Sequence, residues 1–65
     1  MSINLQIKLY MHEHGLKQVA IASLACIPYK TFNSMMNGKR KIYVDEYCSI
    51  CKALGVSPLN FIPGW

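Results

Sequence analysis

Tyr29, Lys30, Asn33 and Ser34 are the residues of this chain whose types and spacing offer chemistry. At helical spacing they share one face, which carries an ammonium, an amide and two hydroxyls. Such groups suit a partner that presents hydrogen-bonding edges beside negative charge. A lysine donates to guanine O6 or N7, and an asparagine makes a two-bond pairing with adenine N7 and N6. The Tyr29 hydroxyl and ring edge could meet a thymine methyl, and the Ser34 hydroxyl a base edge or a phosphate. On the other face Phe32, Met35 and Met36 recur at i, i+3 and i+4, an apolar stripe that belongs in the core.

The element that must hold these side chains is a helix over Pro28–Asn37. Pro28 suits the first turn, where its missing N–H costs nothing. Asn37-Gly38 stops the helix, because both residues tolerate the left-handed backbone used at helix C-termini. Lys39-Arg40-Lys41 follow at once. From Gly15 to Val44 the chain carries Lys17, Lys30, Lys39, Arg40 and Lys41 and no carboxylate; Glu13, Asp45 and Glu46 bracket the window. The net charge of +4 is moderate, so this segregation says more than the total. It has the form of an electrostatic footprint for nucleic acid, although an ordinary solvated face has the same composition.

The remaining elements follow from periodicity. Ser2 is a candidate N-cap, and Ile3, Ile7, Tyr10 and Met11 give a first helix that Gly15 ends. Leu5 and Leu9 add a second apolar strip, so that helix has a wide buried face or touches a partner. A second helix runs from about Lys17 to Ala25 with Ile21, Ala22 and Ala25 inward. Only Cys26-Ile27-Pro28 separates it from the next. The KRKIYV segment reads as a loop with Ile42 or Val44 dipping into the core. Asp45 is a candidate cap for a fourth helix whose stripe is Tyr47, Ile50, Cys51 and Leu54, ended by Gly55. Ser57-Pro58 starts a fifth, about Pro58 to Ile62. The expectation is a single all-α domain over residues 1–65, built from five short helices.

No run approaches the roughly 20 apolar residues that span a bilayer, and the N-terminus lacks signal-peptide features. Three cysteines, an odd count without secretory context, favour a reducing cytoplasm. Cys48-Ser-Ile-Cys51 has the spacing of a metal or redox pair, but no second pair completes a zinc quartet. The bland reading is two buried cysteines on the fourth helix's stripe. His12 and His14 flank Glu13 near the end of the first helix, where a cation suits the dipole. Nothing resembles an active site, so no catalysis, cofactor, metal or small-molecule substrate is expected.

From Gly15 onward the string GLKQVAIASLACIPYKTFNSMMNG, then a basic loop and ALGVSPLNFI, resembles the helix-turn-helix domains of phage repressors and Cro proteins (the lambda repressor-like family). The resemblance implies a cytoplasmic phage or bacterial transcriptional regulator, binding a two-fold symmetric operator in double-stranded DNA as a homodimer. It implies Tyr29, Lys30, Asn33 and Ser34 at base edges, and Lys17, Gln18, Asn37, Lys39, Arg40 and Lys41 at phosphates. Gln18 resembles the family glutamine that grips phosphate and braces the reading helix. Leu59, Phe61, Ile62 and Trp65, too apolar for a solvated tail, form the expected dimer surface. A complete Cro-type chain and the DNA-binding part of a longer repressor fit equally. The chain departs from the family at Cys26, where relatives usually have glycine. A second departure replaces a buried ion pair of relatives with Met11 and Met36, expected to touch. The competing expectation is a protein-interaction module of the same fold, an antitoxin or anti-regulator.

Overall fold

The computed structural model describes residues 2–62. Among them four α-helices are followed by one turn of 3-10 helix, and no strand occurs. The helices are α1 (Ile3–Glu13), α2 (Gln18–Leu24), α3 (Tyr29–Met36) and α4 (Val44–Leu54). The fifth element is not an α-helix: Pro58–Phe61 is a single 3-10 turn, capped by the Ser57 hydroxyl on the Leu59 N–H.

Each helix buries the stripe that its periodicity marks. Ile7 and Met11 come from α1, Ile21 and Ala22 from α2, Phe32, Met35 and Met36 from α3, and Tyr47, Ile50 and Cys51 from α4. Ala25, just past α2, joins them. Phe32, Met35, Ile7, Ile50 and Cys51 are fully buried, and each of the first four side chains stabilises the fold by roughly 1.5–3 kcal/mol. Met11 and Met36 both lie in this cluster. Packing joins α2 to α3 and α4, and α1 to α3 and the 3-10 turn. Ala22 on α2 and Ala25 just past it are buried and small, so they take little room between α2 and its neighbours. Ile42, partly buried, is the loop residue that packs on the core, whereas Val44 is 80% exposed.

All four helices close by the same device, a backbone N–H returning to the carbonyl five residues earlier. Leu16 reaches Met11 (2.8 Å), Ile27 reaches Ala22 (2.9 Å), Lys39 reaches Ser34 (2.9 Å) and Val56 reaches Cys51 (3.0 Å). The closure needs a left-handed residue just before the donor. Gly15, Gly38 and Gly55 fill three of these places; Cys26, with φ +58°, fills the fourth. Thus the left-handed turn between α2 and α3 is kept without its glycine, at a cost of about 1–2 kcal/mol.

Two expectations for α4 need correction. Asp45 is not its cap: the helix begins two residues earlier than that cap would allow, at Val44 with Tyr43 at the N-cap, and the Glu46 carboxylate accepts from the Tyr43 backbone N–H (3.0 Å). An acid three residues past the cap can satisfy that donor, whereas Asp45 falls inside the first turn. Cys48 is exposed, because it lies off the stripe of Tyr47, Ile50 and Cys51. Only Cys51 is a core cysteine, and burial pushes its thiol up from the ordinary value.

Candidate nucleic-acid interface

The outward face of α3 follows from its inward one. With Phe32, Met35 and Met36 buried, successive residues turned by about 100° put Lys30, Asn33, Ser34 and Asn37 on the far side. Lys30 is exposed, Asn33 and Ser34 are half-buried, and Asn37 is the exposed C-cap. Tyr29, 48% exposed, stands at the edge of this face beside the turn.

Asn33 is less free than an isolated reading residue. Its Nδ2 donates to Gln18 Oε1 (3.1 Å), and its Oδ1 accepts from Asn37 Nδ2 (3.1 Å). Gln18 at the start of α2 is therefore tied to the middle of α3, holding one helix against the other across the turn. Lys17, exposed, is the N-cap of α2. Neither α2 nor α3 has a side-chain cap at its start, unlike α1, whose first turn is capped by Ser2.

Beyond Asn37 the face continues into two shallow depressions. One is bordered by Asn37, Gly38, Ser2, Asn4, Leu5 and Lys8. The other is bordered by Gly38, Lys39, Arg40, Lys41, Ser2 and Asn4. Asn4 spans them: its Nδ2 donates to the Met35 carbonyl (2.8 Å) and the Arg40 carbonyl (3.0 Å). One α1 side chain thus pins the end of α3 and the basic loop together. Asn4 and Lys8 were not among the site residues expected from the sequence. Asn4 has a signal, a polar residue at i−3 and i−7 from Ile7 and Met11, within the buried stripe. Lys8 has one too, since residues 1–12 hold no carboxylate either.

Arg40, expected at phosphate, is engaged within the chain. Its Nη1 donates to Glu46 Oε1 (3.0 Å) and to the Lys41 carbonyl (3.1 Å), and its guanidinium lies 5.5 Å from the Tyr43 ring centre. The hydrogen bond from Arg40, then that from the Tyr43 N–H, holds the Glu46 carboxyl below the usual carboxylate range. Arg40 is raised in turn, chiefly by the same bond. A guanidinium carries five N–H donors, so this pairing leaves others facing solvent. Lys39 and Lys41 are exposed.

Of the expected dimer surface, Leu59 is exposed, Ile62 is partly buried against the core, and Trp65 lies outside the described residues. Phe61 is corrected to a core side chain: it is 4% exposed and packs edge-on to Tyr10 at 5.5 Å between ring centres. The 3-10 turn swings it inward, where Tyr47 fixes the turn by donating its hydroxyl to the Pro58 carbonyl. Burial above all pushes the Tyr47 phenol up to about 12. Among the described residues no group of His, Cys, Asp or Glu could hold a metal ion, and no helix is long and apolar enough to cross a membrane.

Comparison with known proteins returns no family model, no curated protein and no solved structure that matches the chain.

Proposed function

We propose that the chain is a sequence-specific DNA-binding transcriptional regulator that lays α3 in the major groove of a two-fold symmetric operator. In this reading α2, the turn at Cys26 and α3 form a helix-turn-helix, with α3 as the reading helix. One observation carries it. The solvent face of α3 is lined by Lys30, Asn33 and Asn37, and it runs on without a carboxylate to Lys8, Lys39 and Lys41. The carboxylate of Glu46, beyond the basic loop, is paired with Arg40.

Base reading falls to Tyr29, Lys30, Asn33 and Ser34. Lys17, Gln18, Lys39 and Lys41 grip phosphate, which fixes position but carries no sequence information. Arg40 holds the basic loop to α4 and offers its remaining donors to the same backbone. The uncapped start of α3 adds backbone N–H groups and a favourable dipole for a phosphate. A single α3 sees only a few base pairs, so two copies on half-sites about one DNA turn apart supply useful specificity. The exposed Leu59 marks the apolar surface through which those copies meet.

The test is selection from a random duplex pool, followed by binding of Asn33→Ala to the enriched site. A two-fold symmetric site should emerge, and the variant should lose preference at one base pair, by roughly 1–3 kcal/mol. Equal loss on the site and on random DNA would sink the division between reading and gripping.

A second reading is a protein-interaction module, and the exposed Val44, Leu24, Val19 and Tyr43 favour it. No enrichment of any sequence, and no salt-dependent binding to random duplex, is what that reading requires.

A further inference from the structure

Lys8 lies on α1, outside the α2–turn–α3 unit, yet it borders the same ground as residues of the basic loop. The depression beside Asn37 takes in Lys8, and the one beside Lys39 and Lys41 adjoins it, since Ser2, Asn4 and Gly38 line both. Together they form one trough, with Lys8 and Asn37 at one end and the basic loop at the other. Asn4 sets its shape, because its Nδ2 donates to both the Met35 and the Arg40 carbonyl. Lys8 follows Asn4 by four residues and so rises from the same side of α1. Over Gly38 the trough is open: a β-carbon there would meet no atom within 4 Å.

Charge says what fills such a trough. No carboxylate borders either half of it. Lys8, Lys39 and Lys41 are exposed and make no ion pair among the described residues, whereas Arg40 is already paired with Glu46. Three ammonium groups around one trough repel one another, and an anion between them replaces that repulsion with attraction. The backbone N–H groups of Gly38 and Lys39 are spent closing α3 on Met35 and Ser34. The donors left over belong to side chains: the three ammonium groups and the N–H of Asn37 that is not given to Asn33. Point charges and a single amide N–H suit phosphate oxygens.

We propose that Lys8 is a phosphate contact and that α1 is a third gripping element, holding the DNA strand that passes the C-terminal end of α3. The inference rests on the DNA-binding reading above and carries the interface beyond the helix-turn-helix. Lys8 reads no base, so its contribution is the same on every sequence. The trough is continuous, so Lys8 and Lys39 serve the same phosphate or neighbouring ones on one strand.

The experiment uses the full chain, random duplex and the site selected from the random pool. Lys8→Ala should weaken binding to both DNAs several-fold at low salt and by the same factor, with the slope of log affinity against log salt reduced by about one. Lys8→Arg should keep the wild-type slope. Lys52→Ala removes the same charge at a depression that shares no residue with the trough, and it should leave the slope unchanged. Duplexes with one phosphate at a time replaced by an uncharged methylphosphonate then locate the contact. Wild type should lose affinity at one or two phosphates where Lys8→Ala loses none, and Lys39→Ala should pick out the same phosphates or their neighbours. Lys8 is exposed, so urea unfolding of Lys8→Ala should match wild type. Three results overturn the proposal: a salt slope untouched by Lys8→Ala, an equal change from Lys52→Ala, or no phosphate at which the variant and the methylphosphonate overlap. A wild-type chain that enriches no site and binds random duplex without salt dependence fails before any variant is compared; that result overturns the parent reading and this one with it.

Discussion

Replacing Cys26 with glycine should stabilise the protein, although it removes a side chain. Cys26 sits at φ +58° in the turn that sets α3 against α2, and its backbone N–H and that of Ile27 return to Ser23 and Ala22. A non-glycine residue held there costs about 1–2 kcal/mol, because Cβ crowds the backbone. Glycine removes that strain but frees the unfolded chain, a penalty of roughly 0.5–1 kcal/mol. The thiol is exposed, so little packing is lost. The balance favours glycine by about 0.5–1 kcal/mol, which raises Tm by roughly 2–8 °C in a domain of this size. Thermal and urea unfolding followed by circular dichroism, under reducing conditions, measure it. Cys26→Ala is the control, since it keeps Cβ and the strain while deleting the sulfur, and it should leave Tm nearly unchanged. A lower Tm for Cys26→Gly would refute the reasoning. So would a gain for Cys26→Ala as large as that for glycine, since the thiol rather than the backbone would then be responsible.

Other consequences follow from the same packing. Tyr47→Phe should cost about 1 kcal/mol through the lost bond to the Pro58 carbonyl, read by urea unfolding. Burial raises the Tyr47 phenol from 10 to about 12. Its stabilising effect is therefore complete below pH 10 and lost as pH climbs from 10 to about 12, by up to roughly 2–3 kcal/mol; the Phe variant should lack this alkaline loss. Glu46 is depressed by Arg40 and the Tyr43 N–H, so its contribution holds at neutral pH and fades on acidification through and below the ordinary carboxylate range. Glu46→Gln should flatten the acid limb of Tm against pH and, by freeing the Arg40 guanidinium, tighten binding to random duplex. Lys39→Ala and Lys41→Ala should each weaken binding to all sequences and reduce the salt slope by about one; unchanged slopes would remove that loop from the phosphate contacts.

The sequence by itself determined where α1 to α4 lie, to within about two residues at their ends, and which side chains form their buried stripes. The stripes Phe32-Met35-Met36 and Ile21-Ala22-Ala25 are local patterns, and burial of apolar surface enforces them whatever the neighbours are. The helix stops were legible for the same reason, since a left-handed closure is a property of a few consecutive residues. Partnerships across the fold were decided only by tertiary structure. Asn4 reaching the carbonyls of Met35 and Arg40, Asn33 shared between Gln18 and Asn37, and Arg40 drawn to Glu46 each depend on where one helix meets another. Phe61 had the composition of a surface anchor, yet a single 3-10 turn carries it under Tyr10. A side chain's type fixes which bonds it can make; how α1, α2 and α3 pack fixes which of those bonds remain for a partner.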